Sequence, residues 1–245
     1  MVDGTQHHSY LKGHITDLKQ FYTMMREGKV ITTSLPNLAD AESLFESILK
    51  GGNDILYLGF SSGLSGTYEG MRTIGTSLLK RYPERKFVSV DTLAASVGQG
   101  LIVYYAAKMR LEGKSLNEVE QWTRSSRLNL AHWFTVDDLM FLFRGGRVSR
   151  TAAFAGSLLN IKPVLHVDND GLLIPVEKTR GRKKSIQALV KHMEETVTQP
   201  IENQLIGISH GDCIEDVEYL KKLITEKFGV TKYLVNYVDP VIGCL

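Results

Sequence analysis

The stretch ILYLGFSSGLSGTYEG, residues 55–70, joins an apolar run to a segment rich in hydroxyl groups and glycine. Its first six residues are typical of a buried β-strand, and a helical pattern begins near Thr67. Three serines and two glycines lie between these elements, at residues 61–66, and give the connection little side-chain bulk. A buried strand that runs directly into a helix is the repeating unit of parallel α/β sheets. This stretch therefore predicts the fold class and a polar turn at one edge of the sheet.

Outward from this stretch, strands and helices alternate along the first half, which predicts an α/β fold with a mostly parallel sheet. In the second half, the turn signal Asp168–Gly171 predicts a hairpin, and we expect a mixed sheet there. A boundary near residue 128 gives an N-terminal α/β domain at 1–128 and a second α/β domain at 129–245. The predicted helices are Asp17–Glu27, Leu38–Lys50, Thr67–Lys80, Ala94–Leu111, Leu116–Leu128, Ser149–Leu159, Lys183–Val197 and Ile214–Phe228. The predicted strands are Ile55–Phe60, Phe87–Val90, Ala131–Val136, Lys162–Val167, Leu172–Lys178, Gln204–Ser209 and Thr231–Val238.

The composition excludes several classes of protein. The 245 residues are 43% apolar, and 29 basic against 27 acidic residues give a net charge of +2, so nothing global favours binding to nucleic acid. Only two cysteines occur, Cys213 and Cys244, which suits a reducing cytosol. No apolar run approaches the roughly 20 residues of a membrane span, and the first residues lack the apolar core of a signal peptide. We therefore expect a soluble cytoplasmic protein.

The hydroxyl-rich turn is suited to binding a small anion. A helix N-terminus exposes unpaired N–H groups, and Gly63 and Gly66 let the backbone approach a ligand. Ser65 could equally be an N-cap residue, or the cap could start one residue later, at Gly66 with Glu69 three residues on, and capping is compatible with anion binding. A nucleotide is less suitable, because no lysine follows Gly66 as in a P-loop, and Val103 interrupts the glycine pattern that begins at Gly98. The sequence therefore favours a small anion such as a carboxylate.

Several motifs follow one another in order along the chain. They are TTSLP (32–36), FSSGLSGTYEG (60–70), VDT (90–92), LMFLFRGGRVS (139–149), LLNIKPVL (158–165) and EKTRGRKK (177–184). In this order they resemble the DegV family over nearly the whole chain. The resemblance implies a bacterial protein that binds a long-chain fatty acid in a buried tunnel and presents its carboxylate to a separate fatty acid kinase, which feeds phospholipid synthesis. It also implies a lipid carrier that is not itself an enzyme and needs no cofactor.

The resemblance also assigns roles to individual residues. It implies that Thr33 of TTSLP and Ser65 of LSGTY hold the carboxylate of the fatty acid. Burial of the acyl tail would contribute about 0.8 kcal/mol per CH₂, so a few hydroxyls at the head suffice to orient the ligand and offset the desolvation of its carboxylate. Supporting contacts are expected from Ser34, Ser62, Gly66 and Thr67, and contacts with the kinase or the acyl phosphate from Arg147 and Arg180.

The sequence departs from the family pattern at three places. Leu35 stands where the family usually has glutamine. The chain begins at what resembles the family's second strand, so the first strand is expected to be missing. It ends at Val241–Leu245, before the segment that carries a histidine of the family's carboxylate site. These departures concern the head-group loop, the first sheet and the C-terminal segment.

A serine hydrolase is the alternative function. Gly207–Gly211 (GISHG) fits the G-x-S-x-G pattern of a nucleophile elbow, between a strand and a helix. The only histidine after Ser209 is its neighbour His210, which cannot turn back onto the serine hydroxyl as a base. Cys213 is interpreted as an apolar residue behind an Asp212 cap rather than as a catalytic thiol.

The remaining polar residues favour structural roles. Asp91, directly after a strand, either touches a ligand or caps the next helix, and we prefer the cap. No metal-binding motif is present, and His7 with His8 is interpreted as a surface pair. His132 and His166 lie alone in strand patterns, where a satisfied structural role is the commoner one.

A basic run at Lys178–Lys184 contains five basic residues in seven. Because no aromatic residue accompanies it for stacking on bases, it does not indicate nucleic-acid binding. It is suited to a solvated loop, to a kinase partner, or to transient contact with acidic lipid at a membrane.

Overall fold

The computed structural model describes residues 17–149 and 160–244, in which helices and strands alternate along the chain. The helices are α1 Leu18–Arg26, α2 Leu38–Lys50, α3 Thr67–Leu78, α4 Ser96–Leu111, α5 Leu116–Ser126, α6 Met140–Arg144, α7 Arg182–Thr196, α8 Ile214–Phe228 and α9 Pro240–Gly243. The strands are β1 Ile55–Gly59, β2 Phe87–Asp91, β3 Trp133–Thr135, β4 Ile161–Val167, β5 Leu173–Arg180, β6 Leu205–His210 and β7 Lys232–Tyr237. The predicted α/β class, with a parallel sheet in the first half, is confirmed.

Most predicted elements lie within a few residues of the observed ones. Both ends of α2 and α8 agree with the prediction, because each helix has regular apolar spacing and a glycine, Gly51 or Gly229, directly after its last residue. β3 is shorter than the predicted strand at Ala131–Val136. The predicted helix at 149–159 lies outside the described residues except for Ser149.

Two compact units divide the described residues. The β1–β2 unit contains Ser34–Leu130 and Val167–Leu172, and the β3–β7 unit contains residues 17–33, Ala131–His166 and the residues from Leu173 onward. The segment 17–33 belongs to the β3–β7 unit because the Tyr22 hydroxyl donates a 2.7 Å hydrogen bond to the Val238 carbonyl and Phe21 packs in the same cluster. The predicted domain bounds did not anticipate this, and the boundary near residue 128 stays a prediction.

In the β1–β2 unit, the two strands pair in parallel from Ile55 opposite Phe87 to Gly59 opposite Asp91. Their carboxyl ends therefore meet at one edge, where the connections to α3 and α4 begin. Helix α3 can approach the sheet closely because Gly75 has no Cβ. A Cβ at this position would lie 2.1 Å from the Phe87 ring. One buried apolar cluster of this unit contains Phe45, Leu49, Ile55, Met71, Leu78 and Phe87.

In the β3–β7 unit, the strands form two sheets. One has the order β3-β4-β5, with β3 antiparallel to β4 and Trp133 opposite His166. The other pairs β6 and β7 in parallel, from Leu205 opposite Lys232 onward. Helix α7 packs against β3, β5 and α8. None of the described helices combines the length and the apolar character needed to cross a membrane.

Candidate functional site

Ser61 fixes the hydroxyl-rich turn from inside the β1–β2 unit. Its side chain is completely buried, and its hydroxyl donates to the Gly171 carbonyl over 2.8 Å. The same oxygen accepts the Gly63 amide at 3.2 Å, and the Ser61 amide donates to the Ala94 carbonyl at 3.0 Å. Because its one hydroxyl hydrogen is already used, Ser61 positions the turn and has no donor left for a ligand.

Asp91 links the ends of the two parallel strands. Its Oδ1 accepts the amide of Ser62 at 3.2 Å and the amide of Leu93 at 3.1 Å. The N-cap of α4 is Ala95, which makes no side-chain cap, so the prediction that Asp91 caps this helix is wrong. The Asp91 carbonyl also accepts the Arg127 guanidinium at 2.6 Å. Asp91 therefore holds the turn after β1 against the turn after β2.

Ser65 and Thr67 form the pair of hydroxyls at the start of α3. Their oxygens lie 2.9 Å apart, and Ser65 Oγ also accepts the Thr67 amide at 3.2 Å. Gly66 occupies the N-cap position, so Ser65 caps the helix from one residue further out. Two hydroxyls that share one hydrogen bond leave one hydroxyl hydrogen for another acceptor. The pair can therefore support the helix and still donate to an anion.

The two glycines of the turn have different surroundings. A Cβ on Gly63 would lie 2.8 Å from the Asp170 carbonyl and 3.1 Å from that of Gly171. Gly63 thus allows another turn of the protein to approach, whereas the sequence had suggested a ligand. A Cβ on Gly66 would meet only the Leu35 side chain, at 3.9 Å. Only Gly66 therefore leaves open space beside its backbone.

Thr33 and Ser34 lie on an exposed segment between Ile31 and α2. Thr33 is the last residue of the segment 17–33, which belongs to the β3–β7 unit. Ser34 and Ser65 belong to the β1–β2 unit. The pairing of Thr33 with Ser65 at a carboxylate therefore stays a prediction. Leu35, the next residue, exposes 55% of its surface.

The two arginines with a predicted partner-facing role have different environments within the β3–β7 unit. Arg147 is half-buried, and its guanidinium donates to the Gly145 carbonyl within the RGGR turn. Arg180 is exposed at the end of β5. Arg147 thus supports its own turn, and Arg180 is open to solvent. Their contact with a kinase stays a prediction.

The geometry of Ser209 does not form a nucleophile elbow. Ser209 lies within β6, opposite Asn236, and the left-handed backbone comes three residues later, at Asp212 (φ 60°). Burial lowers the pKa of His210, against the opposing charge of Asp212, and its Nδ1 accepts the Cys213 amide at 3.3 Å. This ring nitrogen is therefore occupied by the backbone instead of the serine.

Asp212 does not cap α8, in contrast to the prediction. Its carboxylate is bound by the Arg26 guanidinium at 2.9 Å and by the Tyr237 hydroxyl at 3.2 Å. The N-cap position of α8 is Cys213, without a side-chain cap. The Asp212 carboxylate therefore joins α1 to β7.

Among residues 17–149 and 160–244, no three His, Cys, Asp or Glu side chains lie close enough together to hold a metal ion. The predicted surface pair His7 and His8 lies outside the described residues. The ring of His166 stacks on Trp133 at 5.2 Å, as expected for a structural histidine.

The turn at Asp168–Gly171 is a part of the site that sequence reasoning missed. The sequence identified it only as a hairpin signal, and it does join β4 to β5. It also receives the Ser61 hydroxyl, 110 residues away in the chain. The glycine at position 171 was the available signal in the sequence, and the structure gives it φ +76°. No local sequence pattern indicates which distant residue packs against this turn.

Comparison with protein families gives one matching model over nearly the whole chain. The model for DegV, described as an uncharacterised protein family, matches residues 3–244. A DegV domain-containing protein of Clostridium perfringens is 45% identical over 242 residues, which are 99% of this chain and 82% of the relative.

Several solved structures with the same fold have descriptions that name fatty acid binding. A fatty acid binding DegV family protein from Streptococcus agalactiae superposes with a TM-score of 0.82 and 27% identity, over 96% of this chain and 82% of that one. A DegV family protein from Thermus thermophilus, described by its fatty acid binding, superposes with a TM-score of 0.76 and 29% identity, over 93% of this chain and 79% of that one.

Proposed function

Since the chain belongs to the DegV family, we propose that it is a carrier that binds a long-chain fatty acid in an apolar tunnel. The observation that carries the proposal is the similarity to solved relatives described as fatty acid binding, at 27% and 29% identity over 96% and 93% of the chain. The hydroxyl-rich turn after β1 supports it, because hydroxyl and amide donors suit a carboxylate head group.

Within this proposal, Thr33 and Ser65 hold the carboxylate. The Ser65–Thr67 pair supports the assignment, since its shared hydrogen bond leaves one hydroxyl hydrogen to donate to a carboxylate oxygen. Ser61 and Asp91 support it indirectly, because they hold the turn in one shape before a ligand arrives. Supporting contacts come from Ser34, Ser62, Gly66 and Thr67.

A further part of the proposal concerns what happens to the bound acid. The carrier presents the carboxylate to a separate fatty acid kinase, which phosphorylates it and so feeds phospholipid synthesis. The sequence supports this division of labour, because it contains neither a P-loop nor a dinucleotide fingerprint. Arg147 and Arg180 are the residues proposed to face the kinase or the acyl phosphate.

Denaturing extraction of the purified chain tests whether it is a carrier. The expected result is one long-chain fatty acid released per chain, detected by mass spectrometry of the extract. A folded chain that releases no fatty acid, and takes none up from solution, contradicts the proposal.

Substitution of the two hydroxyl residues tests the head-group assignment. Thr33→Ala and Ser65→Ala each remove a hydrogen bond to a charged group, and each should weaken fatty acid affinity about tenfold. Thr73→Ala is a matched control, because Thr73 is an exposed hydroxyl residue on α3 outside the turn. Unchanged affinity in both test variants removes these residues from the site without affecting the carrier proposal.

A further inference from the structure

A groove of about 500 Å³ lies along β5 and α7 in the β3–β7 unit. This volume falls in the range of small-molecule sites, about 300–1,000 Å³. Strand β5 contributes one wall, and α7 contributes residues spaced one turn apart. The groove is lined by Glu177, Lys178, Thr179, Arg180, Lys184, Gln187, Ala188 and Lys191.

The side chains of three basic residues of this groove, Lys178, Arg180 and Lys184, form no ion pair or hydrogen bond with another described residue. Lys191 is 3.6 Å from Glu195. The carboxylate of the lining, on Glu177, is held by His192 Nε2 at 3.0 Å. The groove therefore has an excess of positive charge that its own carboxylate does not neutralise.

Two basic residues next to the groove, Lys162 and Arg182, form ion pairs with acidic residues, unlike three of the basic residues that line it. Lys162 lies 2.7 Å from Asp137. Arg182 binds the same carboxylate and is 3.5 Å from Asp216. Burial acts to raise the pKa of Asp137, but the hydrogen bonds and charges of Lys162 and Arg182 hold it below its usual value. Lys162 and Arg182 beside the groove thus have acidic partners, whereas the side chains of Lys178, Arg180 and Lys184 in it have none among the described residues.

The start of α7 adds to the positive charge. Its first three residues are Arg182, Lys183 and Lys184, its first turn has no acidic residue, and the N-cap Gly181 makes no side-chain cap. Cations at the positive end of a helix dipole are unfavourable, and acidic residues are the stabilising choice there. Ion pairs with Asp137 and Asp216 account for Arg182, but helix stability does not account for Lys184, which lines the groove and would be explained by an anionic ligand.

We propose that this groove binds a phosphate-bearing anion with at least two negative charges. The guanidinium of Arg180 and the ammonium groups of Lys178 and Lys184 match the compact oxygens of a phosphate. The lining has no aromatic side chain on which a nucleobase could stack, so the phosphate group itself is the recognised part. The source is either a soluble polyphosphate or a phospholipid head group. Arg180 also belongs to the surface proposed to face the kinase, but the groove requires no bound fatty acid, so this proposal stands if the carrier proposal fails.

Titration of the whole chain with inorganic pyrophosphate, followed by calorimetry, tests the site. Pyrophosphate should bind, and the double variant Lys178→Gln/Lys184→Gln should weaken binding about a hundredfold, about tenfold for each lost charged hydrogen bond. Lys222→Gln is the matched control, because Lys222 is an exposed lysine on α8, 3.8 Å from Glu226 and outside the groove. The control should bind pyrophosphate like the unchanged chain.

Vesicles distinguish the two sources of phosphate. In sedimentation, binding to vesicles that contain phosphatidic acid, but not to pure phosphatidylcholine, identifies a lipid head group, and loss of this binding in the double variant supports the same groove. Binding of pyrophosphate alone identifies a soluble ligand. The proposal is overturned if neither probe binds, if succinate binds as tightly as pyrophosphate, or if Lys222→Gln weakens binding as much as the double variant.

Discussion

The hydroxyl-rich turn of the β1–β2 unit and the basic groove of the β3–β7 unit satisfy their polar groups in opposite ways. In the turn, Ser61 and Asp91 bind neighbouring backbone groups, and the Ser65 and Thr67 hydroxyls bind each other. In the groove, Lys178, Arg180 and Lys184 have no partner among the described residues.

This difference indicates how each region would bind. A turn whose polar groups are already bonded keeps its shape without ligand and contributes neutral donors, which orient a carboxylate without a strong field. Unpaired cations attract an anion over a longer range, and salt screens that attraction. Fatty acid binding should therefore depend on the shape of the turn, and anion binding in the groove on charge.

The largest effect on the turn is expected from Gly171→Ala. A Cβ at this position would lie 2.1 Å from Ser61 Oγ, and the backbone has φ +76°. We expect the free energy of unfolding in urea to fall by roughly 3 kcal/mol, from strain of about 1 kcal/mol and the clash. Gly52→Ala is the control, because Gly52 has φ +83° and nothing within 4 Å of its Cβ position. Equal losses in the two variants would show that the turn adds no steric constraint.

A smaller loss is expected from Ser61→Ala. This change leaves the buried Gly171 carbonyl and the Gly63 amide without the Ser61 hydroxyl, and should lower the free energy of unfolding by about 1–2 kcal/mol. Ser62→Ala changes an exposed side chain next to it and should alter the same quantity by less than about 0.5 kcal/mol. If both changes are equally small in urea denaturation, the turn is not held by the Ser61 hydroxyl.

The smallest effect concerns the beginnings of α5 and α7, which carry opposite charges. Hydrogen bonds from the Ser115 amide and hydroxyl, with Lys114, lower the pKa of Glu118 to about 2 from 4.5. Because the folded pKa is the lower one, this stabilisation is present above about pH 4.5 and is lost as the pH falls towards 2. The difference in free energy of unfolding between the unchanged chain and Glu118→Gln, measured in urea, should therefore become smaller as the pH falls from about 4.5 towards 2.

Helix α7 provides the comparison, because its first turn has no acidic residue. Lys183→Gln removes a cation from the positive end of the dipole and should raise the urea midpoint slightly, with no dependence on acid pH. A pH-independent effect of Glu118→Gln would contradict the assigned role of its carboxylate.

The sequence predicted the local elements better than the contacts between distant residues. Apolar spacing and terminal glycines determine α2 and α8, so their bounds could be predicted to the residue. The Ser61–Gly171 hydrogen bond joins residues 110 positions apart, and no local pattern contains that information. Asp91 shows both cases, since its bond to Leu93 is local and its bond to Ser62 spans 29 positions.

The groove was also only partly visible in the sequence. The run at Lys178–Lys184 was evident as a cluster of charge. Its arrangement was not, because β5 and α7 place Lys178, Arg180 and Lys184 at the groove, whereas Arg182 binds Asp137 and Asp216. Which cations have acidic partners depends on packing that only the folded chain defines.

The most direct measurement of the carrier account is ¹³C NMR of the chain saturated with a fatty acid labelled at its carboxyl carbon. The account predicts one bound carboxyl resonance, distinct from that of the free acid, which moves in Ser65→Ala and stays in place in Thr73→Ala. A bound resonance at the same position in all three proteins would show that the carboxylate lies away from the hydroxyl-rich turn.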